Sequence, residues 1–103
     1  MIPIIQHIAE ELSQFPSVES VILYGSRARG THRERSDIDL AVVCPNASSR
    51  DWLNMTNVID EAPTLLKIDL VLYWEMQEEF REEIDREGIV LYERERKDQT
   101  IHA

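Results

Sequence analysis

Residues 21–43 read VILYGSRARGTHRERSDIDLAVV, and this stretch decides the fold. Ser20 to Tyr24 is a short apolar run stopped by Gly25, the pattern of a buried strand. Gly25-Ser26 then opens RARG, a turn or the first turn of a short helix closed by Gly30. Asp37 to Val43, DIDLAVV, reads as a second strand ended by Cys44-Pro45-Asn46. Only about a dozen residues join the two strands, too few for a helical crossover, so an antiparallel pair is expected.

Working outward, Ile5, Ile8, Ala9 and Leu12 fall at the i, i+3, i+4, i+7 spacing of an amphipathic helix, with Phe15 continuing the face and Pro16 near its end. Downstream, Ser48 or Ser49 offers an N-cap for a helix that contains Trp52, Met55 and Ile59 and that Pro63 terminates. Lys67 to Tyr73, KIDLVLY, reads as a third strand. Glu75 to Glu87 reads as a charged helix with Met76, Phe80 and Ile84 on one face and Gly88 as its C′ residue. Ile89 to Tyr92 is a short last strand. The expected fold is therefore α+β, an α/β sandwich: a small mixed sheet of about four strands covered by helices. Residues 1–92 make one domain, and 93–103 a polar, flexible tail.

The chain has 103 residues, enough to bury a core without disulfides or metal staples. Its 43% hydrophobic and 30% charged residues suit a soluble globular domain. No apolar run approaches the roughly 20 residues a membrane span needs. The first residues, MIPIIQHIAEEL, lack a basic n-region and so do not read as a secretory signal. A single cysteine, Cys44, excludes an internal disulfide framework and fits a reducing cytoplasm. With 11 basic against 20 acidic residues the net charge is −9, which argues against direct nucleic-acid binding. It points instead to divalent cations or to a basic protein partner. Arg27, Arg29, Arg33 and Arg35 nevertheless gather within nine residues, a basic pocket on an acidic chain.

Side chains two apart on a strand share a face, so Asp37 and Asp39 point together while Ile38, Leu40 and Val42 take the core. In the third strand Ile68, Leu70 and Leu72 take the core and turn Asp69 outward. Asp inside an apolar strand is disfavoured, yet IDL occurs at 38–40 and again at 68–70 in the same phase. If the two strands are neighbours, three carboxylates converge. Like charges that close raise one another's pKa values, and a hard divalent cation such as Mg²⁺ relieves the conflict. Gly25 lets backbone approach phosphate closely. The helix start after it offers free N–H groups, to which the Ser26 hydroxyl adds a donor. A P-loop is excluded, because Thr31-His32 stands where Lys-Ser/Thr is required.

Ser26 and Asp37 are separated by ten residues, giving Gly-Ser-x10-Asp-x-Asp inside the flanks LYGSRARG and SDIDLAVV. Its four fixed positions arise by chance at ~10⁻³ over a chain of this length. The pattern resembles the polymerase-β-type nucleotidyltransferase superfamily. More narrowly it is similar to the minimal nucleotidyltransferase (MNT) family, short partners of HEPN-domain proteins in prokaryotic toxin–antitoxin pairs. The similarity covers roughly Val21 to Tyr92.

What the resemblance implies can be placed on residues. Gly25 and Ser26 would hold the triphosphate of ATP. Asp37 and Asp39 would bind both ions of a two-Mg²⁺ site, and Asp69 would be the third ligand near the acceptor hydroxyl, as base or as ligand only. Two metals about 3.5–4 Å apart can activate the attacking oxygen and stabilise the leaving one. Arg27 and Arg29 are candidates for neutralising phosphate charge. The implied reaction moves AMP from ATP to a hydroxyl, with a tyrosine of a cognate HEPN toxin as acceptor. Two alternatives stay open: a module that neutralises a toxin by stoichiometric binding, and transfer to a small-molecule hydroxyl.

Other chemistry-bearing residues read as structural. His7, His32 and His102 show no metal spacing. Cys44 at a strand end reads as a small buried hydrophobe, and Trp52 and Trp74 as packing or interface residues.

Overall fold

In the computed structural model, residues 1–95 are described. The chain forms α1 (Pro3–Leu12), β1 (Ser20–Tyr24), α2 (Ser26–Arg29), β2 (Ile38–Val43), α3 (Ser49–Asp60) and β3 (Ile68–Leu72). A single 3₁₀ turn (Tyr73–Glu75), α4 (Glu78–Glu87) and β4 (Ile89–Glu93) follow. The sheet order is β3-β2-β1-β4. β1 runs antiparallel to both β2 and β4, whereas β2 and β3 are parallel, so the sheet is mixed as expected.

The alternation of β2 explains the layering. Ile38, Leu40 and Val42 are fully buried on one face, where α1 and α3 supply Ile5, Ile8, Leu12 and Met55. Ala41 lies on the opposite face with Ile22 and with Ile84 of α4, flanked by Tyr24, Val43 and Phe80. Two helices thus cover one face and one helix the other.

α3 shows how local chemistry fixes a helix start. The Ser48 hydroxyl accepts from the Asp51 N–H at 3.0 Å, and the Asp51 carboxylate accepts from the Ser48 N–H at 3.4 Å. Such a capping box is worth on the order of 1 kcal/mol. Asp51 also accepts the Ser17 hydroxyl at 2.9 Å, which ties this helix to the segment leading into β1. The parallel β2/β3 pair requires a crossover, and α3 provides it.

Several boundaries differ from the sequence reading, each for a physical reason. α1 stops at Leu12, ahead of Phe15, although Phe15 still packs against the main core. α4 begins at Glu78 rather than Glu75. Tyr73–Glu75 form a separate turn, with the Trp74 ring edge-on to Tyr73 and the Arg81 guanidinium 5.4 Å above it. Met76 therefore lies before the helix, where its carbonyl accepts from Arg81.

Gly88 is not a left-handed cap, since its φ is −75° and ψ 155°. It is needed for space: a Cβ there would lie 2.6 Å from Ile22 Cγ2 and 2.5 Å from the Ile84 carbonyl oxygen. β4 continues to Glu93, which pairs with Ser20. Arg94 donates to the carbonyls of Val18 and Phe15 at 3.0 and 3.1 Å. The remainder of the polar tail, residues 96–103 with His102, lies outside the described residues. Among those described, no helix is long and apolar enough to cross a membrane.

Candidate active site

The two IDL triplets pair with each other residue for residue. Parallel register sets Ile38 against Ile68, Asp39 against Asp69 and Leu40 against Leu70. Neighbouring strands lie about 4.8 Å apart, so the two carboxylates leave adjacent backbones on the same face. Asp37 precedes β2 by one residue. On the other side of β2, Asp39 pairs with Tyr24, the last residue of β1. α4 covers the neighbouring part of this face, with Ile84 packed on Ile22 and Ala41.

Gly25 links the turn to the carboxylates. Its φ of 77° and ψ of −158° are open only to glycine. A Cβ at this position would collide with the Asp39 carboxylate, whose Cγ would be 3.2 Å away. The backbone of the turn is therefore laid directly against Asp39. Ser26 starts α2, and the Gly25 carbonyl accepts from the N–H groups of Ala28 and Arg29, both at 3.1 Å. The first N–H groups of such a turn have no intrahelical acceptor. Gly30, at φ 79°, closes the turn with its N–H on the Ser26 carbonyl.

The two candidate arginines part company. Arg27 points inward and is only 9% exposed. Its Nε and Nη2 donate to the Ser36 carbonyl at 3.1 and 3.0 Å, and Nη2 also to the Glu34 carbonyl at 3.0 Å. Arg27, one of the two arginines expected to face phosphate, thereby holds the 34–36 loop that leads to Asp37. Arg29 stays half-exposed, with Nη1 3.2 Å from Glu87 Oε1 of α4. Its charge acts on Asp39, so it stands where an anion beside that carboxylate would meet it. Lys67, the residue before β3, does the same, with Nζ 3.8 Å from Asp69 Oδ1.

Electrostatics mark Asp39 as the strained member. Burial pushes its pKa above the ordinary carboxylate value, and the neighbouring charges of Asp69 and Asp37 push the same way. Arg29 and Lys67 offset part of that rise. Tyr24, which the sequence reading did not single out, joins the site. Burial, then Asp39 and then Asp69 push its phenol up to about 12. Its ring meets Phe80 of α4 edge-on at 5.5 Å between centroids. The signal was available: Tyr24 directly precedes Gly25-Ser26 at the end of β1, opposite Asp39.

Among the described residues, no three His, Cys, Asp or Glu side chains are grouped so that they could share a metal ion as they stand. The chemistry of the donor set still fits a hard divalent cation, because Asp37, Asp39 and Asp69 offer only oxygen ligands. The upward pressure on Asp39 comes partly from its two like-charged neighbours, and a cation would remove it.

A sheet of this order sets the Gly-Ser turn against the paired strand aspartates. Residues 6–97 match the family described as polymerase beta, nucleotidyltransferase, and the chain belongs to it. Solved structures share the architecture. A chain of a toxin–antitoxin complex with AMP-PNP aligns at TM-score 0.70 with 21% identity, over 91% of this chain and 77% of that one. A mutant MntA–HpeT toxin–antitoxin aligns at 0.69 with 18% identity, over 91% and 77%. A tri-AMPylated Shewanella oneidensis HEPN toxin in complex with MNT antitoxin gives 0.61 with 16% identity, over 91% and 74%. At these identities the likeness is one of fold. No curated protein sequence matches the chain.

Proposed function

We propose that this nucleotidyltransferase moves AMP from ATP to a tyrosine hydroxyl of a cognate HEPN-domain toxin, and that the modification silences the toxin. The observation that carries the proposal is the in-register pairing of Asp39 with Asp69 beside a glycine turn packed against Asp39. The fold is that of toxin–antitoxin chains, one solved with AMP-PNP and one beside a tri-AMPylated HEPN toxin. The pair would meet in the cytoplasm, where ATP is plentiful.

In the transfer, the acceptor oxygen attacks the α-phosphorus of ATP. A new P–O bond forms, the α–β bridging P–O bond breaks, and pyrophosphate leaves with that electron pair. The acceptor proton passes to a carboxylate of the site and on to solvent. Gly25 brings its backbone within reach of the phosphates, and Ser26 adds a hydroxyl donor. Arg29 neutralises phosphate charge once its contact with Glu87 yields. Arg27 contributes by fixing the loop that places Asp37. Asp37, Asp39 and Asp69 would hold Mg²⁺, which when bound supplies charge stabilisation to the attacking and leaving oxygens.

The test is intact-mass analysis of the co-purified partner after incubation with Mg²⁺ and ATP. Gain of whole AMP units with the native chain, absent with Asp37→Asn/Asp39→Asn, is the expected result. An unchanged partner mass in a stable complex would overturn it. A second reading, neutralisation by binding alone, draws on the exposed acids Glu78, Glu79, Glu82 and Glu83 of α4. Full protection of cells by the double Asn variant would favour that reading.

A further inference from the structure

Arg29, the last residue of α2, meets a carboxylate from the far end of the chain, Glu87 of α4. We infer that Glu87 is a positioning residue of the nucleotide site, an internal anion that holds Arg29 between turnovers. It gives the guanidinium up to incoming polyphosphate and takes it back as pyrophosphate leaves. The inference rests on the nucleotidyl-transfer reading and adds to it a residue outside the Gly-Ser and aspartate set.

Helix chemistry does not account for the position of Glu87. It is the last residue of α4, where the negative end of the helix dipole disfavours a carboxylate. The framework nevertheless delivers it firmly. Ile84 is buried with Ile22 and Ala41, and the Gly88 N–H donates to the Ile84 carbonyl at 2.7 Å. A Cβ on Gly88 would collide with Ile22 and lie 3.4 Å from the carbonyl oxygen of Leu23, two residues before Gly25. The end of α4 is thus pressed on β1 beside the start of the phosphate turn, and Glu87 Oε1 reaches Arg29 Nη1 at 3.2 Å.

The chemistry of the pair suits exchange. Arg29 lies three residues after Ser26, and positions i and i+3 share a face of a helical turn. The hydroxyl and the guanidinium therefore serve the same side of α2. A guanidinium takes carboxylate and phosphate with the same N–H groups, so Glu87 occupies Arg29 in the manner of a phosphate oxygen. Breaking the contact strands no charge, because the Arg29 and Glu87 side chains keep 44% and 29% of their exposure and water can take over from each partner. A pair this exposed is worth at most about fivefold in an equilibrium constant. A contact remade in every turnover has to be that weak.

Calorimetric titration of the full chain with Mg²⁺–AMP-PNP, and separately with Mg²⁺–pyrophosphate, tests the inference. Glu87→Gln should tighten both ligands about two- to fivefold at a native melting temperature. Most of that gain should vanish when Glu87→Gln is made in an Arg29→Gln background. Glu10→Gln, the same charge change at an exposed α1 position, should leave both affinities unchanged. Weaker binding by Glu87→Gln would make Glu87 a fixed support that aims Arg29 at phosphate, and the exchange is overturned. An equal gain with and without Arg29 would reduce Glu87 to plain charge repulsion and overturns it as well. If Glu87→Gln and Arg29→Gln both bind AMP-PNP as the native chain does, the pair lies outside the site and nucleotide handling stands without it. If the native chain binds no AMP-PNP, the nucleotidyl-transfer reading itself fails and takes the role of Glu87 with it.

Discussion

Gly25 lies so close to the Asp39 carboxylate that a methyl group on its Cα would collide with that side chain. Two constraints coincide at this residue, a glycine-only backbone conformation and van der Waals contact with a candidate metal ligand. Gly25→Ala should therefore cost about 1–3 kcal/mol of stability and abolish Mg²⁺–ATP binding together. Thermal unfolding and calorimetric titration with Mg²⁺–ATP read the two effects. Near-native affinity in the Ala variant would show that the turn is not a phosphate contact.

Asp39→Asn should separate stability from activity. The Asp39 carboxyl is held above its usual pKa, so the folded chain favours its protonated form. That contribution is fully present below the unfolded value near 3.8 and is lost as pH rises through the folded one. At neutral pH a charged Asp39 thus weighs against the metal-free fold. The Asn variant should melt a few degrees higher without metal near pH 7, with the gain shrinking toward pH 3. Nucleotidyl transfer should be lost. A lower melting temperature for the variant at pH 7 would contradict the assignment of strain to this carboxylate.

Tyr24 should be a late-ionising tyrosine in an alkaline absorbance titration, with a midpoint about 12. The raised value means that the folded state keeps a proton the unfolded chain gives up near 10, so this contribution to stability falls as pH rises from about 10 to 12. Tyr24→Phe should remove the late step and flatten that part of the stability profile.

Arg27→Gln and Arg29→Gln should behave as opposites. Arg27 is buried with its donors on two loop carbonyls, so its loss should cost about 2–4 kcal/mol of stability. Arg29 is a half-exposed arginine in a single ion pair, worth little to the fold. Its loss should instead weaken Mg²⁺–ATP binding several-fold at an unchanged melting temperature. Equal melting temperatures for the two variants would refute the division of roles.

Much of this site could be read in the amino-acid order because strand periodicity is strict. The alternation that buries Ile38, Leu40 and Val42 leaves Asp39 no face but the other one, and the same holds for Asp69 between Ile68 and Leu70. The spacing of the Gly-Ser turn from Asp-x-Asp pointed to the family. What stayed hidden was side-chain choice. An arginine two residues from another shows nothing in sequence of which one folds inward, and Arg27 does so because the carbonyls of Glu34 and Ser36 meet it there. Gly88 looked like a left-handed cap because helices often end that way. Its real constraint is the Ile22 side chain, supplied by a strand far away in the chain. The charged helix read as longer than it is, because a spacing of four ran on through Met76.

Asp39 and Asp69 face each other only because α3 carries the chain over to lay β3 parallel to β2. The two positions are 30 apart in sequence, and parallel pairing gains nothing until such a loop has closed. The first aspartate and the glycine turn are thus made on a local hairpin, whereas the second arrives through a distant closure. During synthesis the β1–β2 hairpin can form before Asp69 has left the ribosome. The full set of aspartates comes together as a late event of folding, so a truncated or half-folded chain would carry Asp37 and Asp39 without Asp69.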